Sequence, residues 1–218
     1  MFLEYSNPTL THVTISNNTA NSNGGGMCLI SSNPILTHVT ISNNTANNSG
    51  GMYLLNSNPT LTNSIIWDNS PEFIYLYNGD EEPIITYSDI QDGWEGEGNI
   101  DIDPLFTNPD NGDYTLQEGS PCIDASIADI DGDGIDDITD FIGSAPDMGA
   151  YEFGESSLMV GDTNFDGIVN ILDIVRIINQ IMGNSEFNDD EFTVADFNAD
   201  GIVDILDIVQ IVNYILAN

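Results

Sequence analysis

The chain has 218 residues, with 36 acidic side chains against a single basic one, Arg176, and a formal charge of −35 at pH 7. Such a surface repels phosphate backbones and anionic lipids, which excludes nucleic acid and membrane surfaces as partners and favours cations, or a salty or calcium-rich exterior. Because 40% of the residues are hydrophobic and apolar runs recur at regular spacing, the chain is not a disordered acidic tail. None of those runs approaches the ~20 residues of a membrane span. Met1–Leu10 lacks the charged and apolar regions of a signal peptide, so a secreted protein is expected to carry this chain as its C-terminal part. Cys28 and Cys122 are far apart and form no CxxC; they could pair in an oxidising compartment, and unpaired, buried thiols are the reading slightly favoured.

The first element in chain order is an internal repeat. Asn7-Pro8-Thr9-Leu10-Thr11-His12-Val13-Thr14-Ile15-Ser16-Asn17-Asn18 returns from Asn33 to Asn44, and again, worn, from Asn58 to Asn69. The steps are 26 residues (7 to 33) and 25 residues (33 to 58). Val13 and Ile15, then Val39 and Ile41, alternate with Thr and Ser, the period-2 pattern of a strand with one buried face. A second short strand, Met27–Ile30 and then Met52–Leu55, follows a glycine-rich corner between copies. A repeat of this length with two or three short strands fits one coil of a parallel β-helix, which must stack on its neighbours to bury its apolar face. Asn-Pro and Gly-Gly mark the corners, and the load of Asn, Gly, Pro and Thr excludes a helical repeat. Strand-rich sequence continues through Phe73–Tyr77 and Ile84–Ile90.

Next come Asp103-Pro104-Leu105-Phe106, Gly112-Asp113-Tyr114-Thr115-Leu116, Gly119-Ser120-Pro121-Cys122-Ile123-Asp124-Ala125 and Asp147-Met148-Gly149-Ala150-Tyr151-Glu152. This stretch, to Phe153, resembles the closing segment of bacterial right-handed β-helix proteins. Residues 1–153 are therefore expected to be right-handed parallel β-helix coils with an irregular C-terminal cap, followed by a linker over 154–160. Inside the cap, Asp129, Asp131, Asp133, Asp137 and Asp140 occupy positions 1, 3, 5, 9 and 12 of a loop with Gly134 at position 6 and the Ile135 carbonyl at position 7. No helix is expected after it; it reads as a third calcium loop or, alternatively, as a polar surface insertion in the cap.

Residues 161–183 and 195–217 are a duplication with 14 identities in 23 aligned positions. Each copy opens with oxygen side chains at positions 1, 3, 5, 9 and 12 around a glycine at 6. A hard cation needs about six to eight oxygens within a short radius, and a tightly wound loop gathers them. The candidate ligands are Asp162, Asn164, Asp166, the Ile168 carbonyl, Asn170 and Asp173 in the first copy. In the second they are Asp196, Asn198, Asp200, the Ile202 carbonyl, Asp204 and Asp207. Two such loops in one register, 34 residues apart (162 to 196), point to calcium rather than to acidic turns. Each runs into a predicted helix, Ile171–Met182 and Ile205–Leu216. Their apolar arc is wider than packing one helix on another needs, leaving either a fatter core or an exposed docking strip.

This pair resembles a type I dockerin, a small all-α domain of paired calcium loop–helix units, expected over 161–218. The resemblance implies calcium as cofactor, attachment to secreted glycoside hydrolases or related proteins, and docking onto a cohesin-like domain. The face implied is that of Ile171, Leu172, Ile205 and Leu206, and near identity of the copies would let a partner bind either helix. Ile-Leu stands where cellulosomal dockerins often carry Ser-Thr, and Asn179-Gln180 and Asn213-Tyr214 stand near the place of a Lys-Arg pair.

Catalysis finds little support in the residues. Uronate lyases need a basic side chain near the abstracted proton, and the only arginine lies in the dockerin-like part. His12 and His38, one coil apart, read as a structural ladder; Asp89 with Asp92, or Asp101 with Asp103, are acid pairs that carry no information in so acidic a chain. The leading expectation is a calcium-dependent docking module on a secreted or cell-surface β-helix protein associated with polysaccharide binding or degradation. The alternative is a glycoside hydrolase whose active-site coils lie upstream. A surface adhesin using the rows Thr14/Thr40 and Ser16/Ser42 is a weaker alternative, because those rows break at Ile65 and Trp67.

Overall fold

The computed structural model describes residues 1–77, 82–154, 160–164 and 168–217. Residues 155–159 of the expected linker, and Asp166 of the first loop, lie outside the described residues. The chain divides into two compact units, Met1–Glu155 and Ser156–Asn218.

The first unit is a parallel β-solenoid of about three turns. Its strands are β1 (Phe2–Glu4), β2 (Thr9–Ser16), β3 (Met27–Ile30), β4 (Ile35–Ser42), β5 (Met52–Leu55), β6 (Thr60–Thr62), β7 (Ile65–Trp67), β8 (Ile74–Leu76), β9 (Ile84–Thr86) and β10 (Asp89–Ile90). One sheet runs β1-β3-β5-β8; the other stacks β2 on β4, which pairs in turn with both β6 and β7. The sequence repeat sets the register. Leu10 lies over Leu36 and Ile15 over Ile41, and the rows continue to Leu61 and Ile66. These inward side chains form one core with Met27, Leu29, Met52, Leu54, Ile85 and Ile90.

Polar ladders satisfy the corners. His12, His38 and Asn63 share one bend with φ of 52, 52 and 56°, left-handed values that turn the chain within β2 and β4 and between β6 and β7. The two imidazoles stack with centroids 4.9 Å apart, and Asn63 Nδ2 lies 3.1 Å from His38 Nε2. Inside the next corner the fully buried Asn44 donates through Nδ2 to the Ile15 and Ser42 carbonyls at 2.8 and 3.1 Å, while its Oδ1 accepts from the Asn18 N–H at 3.0 Å. At Gly51 the neighbouring coil comes so close that a Cβ would stand 2.1 Å from the Phe73 carbonyl oxygen.

The closing segment contributes the antiparallel hairpin β11 (Phe106–Asn108) and β12 (Asp113–Leu116). It was expected as a cap, and it also lies along the outward row Thr14, Thr40, Ile65, Asp89, whose members pair in register across β2, β4, β7 and β10. Ile65 packs with Phe106, Tyr114, Leu116, Cys122 and Met148 in a second core. The Tyr114 hydroxyl accepts from Asn17 and Asn43, and the Ala150 N–H donates to Thr40 Oγ1 at 3.0 Å. Gly149, at φ 96°, sits so near Ile65 and Thr40 that a side chain would meet both within 3.0 Å. The adhesin rows are thus partly covered: Thr40 and Ser42 are buried. Cys28 and Cys122 are buried free thiols, as expected.

The second unit contains α1 (Ile171–Ile181), α2 (Asp189–Ala195) and α3 (Ile205–Ala217). Ile174, Ile177, Ala195, Ile208 and Ile211 form its core, with Phe187 and Phe197 packed against it. α2 was not anticipated, because seven residues show no apolar periodicity. Its signal was local: Asn188 Oδ1 accepts from the Glu191 N–H at 2.8 Å and Glu191 Oε2 from the Asn188 N–H at 2.9 Å, a capping box. Among the described residues no helix is long and apolar enough to cross a membrane.

Asn44→Ala removes the buried hydrogen bond to the Ile15 carbonyl and the part-buried one from the Asn18 N–H. It is expected to destabilise the solenoid by about 2–4 kcal/mol, read by urea unfolding through Trp67 and Trp94 fluorescence, with helical circular dichroism unchanged.

Candidate metal centre

In the second helical repeat, the loop before α3 folds around its own side-chain oxygens. Asp196 Oδ1 accepts from the Asp200 N–H at 3.0 Å and its Oδ2 from the Gly201 N–H at 2.7 Å. Asn198 Oδ1 accepts from the Asp200 N–H at 2.8 Å, and Asp200 Oδ1 from the Ile202 N–H at 3.0 Å. Asp207, fully buried at position 12, accepts from the Asn198 N–H at 3.2 Å and the Asp204 N–H at 2.9 Å, tying the helix start back to the loop.

The first repeat uses its position-12 residue in the same way. Asp173 Oδ1 accepts from the Thr163 and Asn164 N–H groups at 2.9 and 3.2 Å, and Oδ2 from the Asn170 N–H at 2.8 Å. Asn170 caps α1 by accepting from the Leu172 N–H at 2.8 Å. Asp162 and Asp173 are buried.

Three carboxylates, Asp162, Asp173 and Asp207, are thus withdrawn from water in a unit whose one basic side chain, Arg176, is engaged with Glu191. Buried carboxylates are costly without a counter-charge. An all-oxygen donor set of this kind suits a hard divalent cation.

The 129–140 loop repeats the wiring of the second repeat. Asp129 Oδ1 accepts from the Asp133 N–H at 3.2 Å and Oδ2 from the Gly134 N–H at 2.8 Å; Asp131 Oδ1 accepts from the Asp133 N–H at 3.1 Å and Asp133 Oδ1 from the Ile135 N–H at 2.8 Å. The difference lies at the far end. Asp137, at position 9, accepts from the Ile130 and Asp131 N–H groups at 2.9 and 3.3 Å, the part that position 12 plays in the helical repeats. Carboxylate oxygens of Asp129, Asp131 and Asp137 lie within 4.8 Å of one another; Asp133 and Asp140 are outside that group. No helix follows, in line with the sequence.

The helix faces carry the second functional feature. Exposure repeats pair by pair: Ile171 65% and Ile205 62%, Leu172 57% and Leu206 54%, Val175 48% and Val209 51%. Ile174, Ile177, Ile208 and Ile211 point into the core. The wide apolar arc is therefore only half used in packing, and an uncharged strip remains in water on each helix.

Residues 160–216 match the family described as dockerin type I domain, and residues 2–98 match that described as right-handed β-helix region. The chain carries a C-terminal dockerin domain after a right-handed β-helix region. No curated protein and no solved structure matches it. A dockerin is a non-catalytic module that binds calcium and docks onto cohesin, and the β-helix region fits polysaccharide-related proteins.

Elsewhere in the β-helix unit, a cleft of about 490 Å³ is lined by Thr11, His12, Asp137, Asp140 and Glu152 among others. His38, stacked beneath His12, is lowered to about 4 by burial and then by its neighbour His12, against the pull of the Gly149 and Asp147 carbonyls. It stays neutral at ordinary pH, which suits a ladder.

Asp207→Ala in the dockerin removes the acceptor for two loop N–H groups. A loss of about 1–3 kcal/mol is expected in thermal unfolding of the helices followed at 222 nm, with the tryptophan transition of the solenoid unmoved.

Proposed function

We propose that the dockerin holds calcium in two loops and presents the α1 and α3 strips to a cohesin-type domain. The ligands in the first loop are Asp162, Asn164, Asp166, the Ile168 carbonyl, Asn170 and Asp173. Those in the second are Asp196, Asn198, Asp200, the Ile202 carbonyl, Asp204 and Asp207. A third site is proposed at Asp129, Asp131, Asp133, the Ile135 carbonyl, Asp137 and Asp140, supported by hydrogen bonding that parallels the 196–207 loop. Calcium supplies the positive charge that the buried carboxylates lack. Asp173 and Asp207 then fasten loop to helix, so that folding and metal uptake are coupled.

The observation that carries the docking role is the matched exposure of the two apolar strips. Half-exposed Ile, Leu and Val side chains each contribute roughly 1 kcal/mol when covered, so Ile171, Leu172 and Val175, or their counterparts Ile205, Leu206 and Val209, suffice to anchor a partner. The repeat lets either helix serve. The proposed setting is extracellular or at a cell surface, with the β-helix associated with polysaccharide.

Calorimetric titration with calcium after EDTA treatment, with circular dichroism in parallel, tests the metal sites. Micromolar or tighter uptake is expected in the dockerin loops, with helix appearing as they fill, and one further event in the β-helix unit. Asp137→Asn is expected to remove that further event and Asp140→Asn to weaken it less. Uptake only above about millimolar calcium, with unchanged helix content, would overturn the reading.

A further inference from the structure

The outward row of the solenoid ends in an acid. Thr14, Thr40, Ile65 and Asp89 occupy equivalent places in successive coils, and Asp89 is fully buried. Its carboxylate joins two stretches that are remote in sequence. Oδ1 accepts from the Ile102 N–H at 3.2 Å, where the chain leaves the last coil. Oδ2 accepts from Cys122 Sγ at 3.3 Å, inside the closing segment. Cys122 is held in turn by Ser120 Oγ, which accepts from the Cys122 N–H at 3.2 Å, while the Cys122 carbonyl accepts from the Met148 N–H at 3.0 Å. One side chain thus connects β10, the segment by which the chain leaves the last coil, and the turn that carries Met148 and Gly149 onto the coils.

The titratable groups facing this point are all acidic. Asp101 and Asp103 lie on the exit segment, Cys122 on the closing segment, and Asp147 stands beyond Cys122. The Met1–Glu155 unit contains no lysine or arginine to compensate a charge there.

We propose that Asp89 is a pH-sensitive latch: buried against the closing segment in a unit without lysine or arginine, it is held there as the neutral acid, and its ionisation, which the two hydrogen bonds only partly offset, loosens the segment from the coils. Burial pushes the Asp89 carboxyl up to about 7, with Asp101 and Asp103 adding to the shift and its two hydrogen bonds opposing it. Burial, and then the nearby Asp89 carboxylate, push the Cys122 thiol up, so it stays a neutral donor. A folded pKa above the unfolded one means that the stabilisation is complete below the unfolded value, about 3.9, and is lost as pH rises through about 7. The latch therefore tightens in a mildly acidic medium and relaxes in an alkaline one.

Hydrogen exchange read by mass spectrometry on the full chain, corrected for intrinsic rates, tests this. Between pH 5 and pH 8, protection of the stretches around Ile102 and Cys122 is expected to fall tenfold or more. Protection of β4 should fall far less. In Asp89→Asn, which keeps the shape without the charge, that fall should disappear; the comparison also cancels the opposite trend from His38. Equal protection at both pH values in the wild type overturns the latch, even if the variant fails to fold. A fall retained in a folded Asp89→Asn overturns it too.

Discussion

Coil-on-coil stacking is the constraint on which the β-helix unit depends. A single coil of about 25 residues has too little interior to bury its own apolar side chains, so each position is chosen against the same position one coil away. Leu36 between Leu10 and Leu61, and Ile41 between Ile15 and Ile66, are the apolar form of that rule. Asn44 between Asn18 and Asn69 is its polar form, in which one amide side chain serves the backbone of two coils. The left-handed bends at His12, His38 and Asn63 follow from it, since a change in one copy must be tolerated by the next.

Stacking also explains why the closing segment is built as it is. Once the outward row contains Ile65, an apolar side chain faces away from the core and needs cover. Phe106, Tyr114, Leu116 and Met148 provide it. The same cover dehydrates whatever else the row contains, which places a carboxyl, Asp89, in an apolar setting where its charge is disfavoured. In the dockerin the logic is reversed. Asp162, Asp173 and Asp207 are withdrawn from water, and loop backbone N–H groups converge on Asp173 and Asp207, an arrangement suited to neutralisation by a cation.

Much of this was legible from residues alone. The strands Met27–Ile30 and Met52–Leu55, and both duplicated helices to within a residue or so, follow from periodicity and repetition, signals that reinforce one another over several copies. The β-helix and dockerin readings agree with the families matched. The parts that were not legible occur once and depend on tertiary contact. α2 has a capping box but no repeat. The lateral path of the closing segment shows only when Ile65 is seen to face outward. The exchange of roles between Asp137 and a position-12 residue rests on which N–H groups the loop brings together, and spacing does not encode that. Likewise, the apolar arc on α1 and α3 was compatible with a fatter core until the positions of Ile171, Leu172, Ile205 and Leu206 in water distinguished the two.

In the proposed function, calcium-filled loops present an apolar, uncharged helix face to a cohesin-type domain. Surface plasmon resonance of the chain over a panel of immobilised type I cohesin domains tests it most directly, run in calcium, in EDTA, and with the double variant Leu172→Asp/Leu206→Asp. Micromolar or tighter binding to at least one domain is expected in calcium. That binding should weaken a hundredfold or more in EDTA and equally in the double variant, whose calcium uptake and helix content stay intact. A calcium-loaded, helical chain that binds none of the panel, or binding indifferent to EDTA and to the double variant, would contradict it.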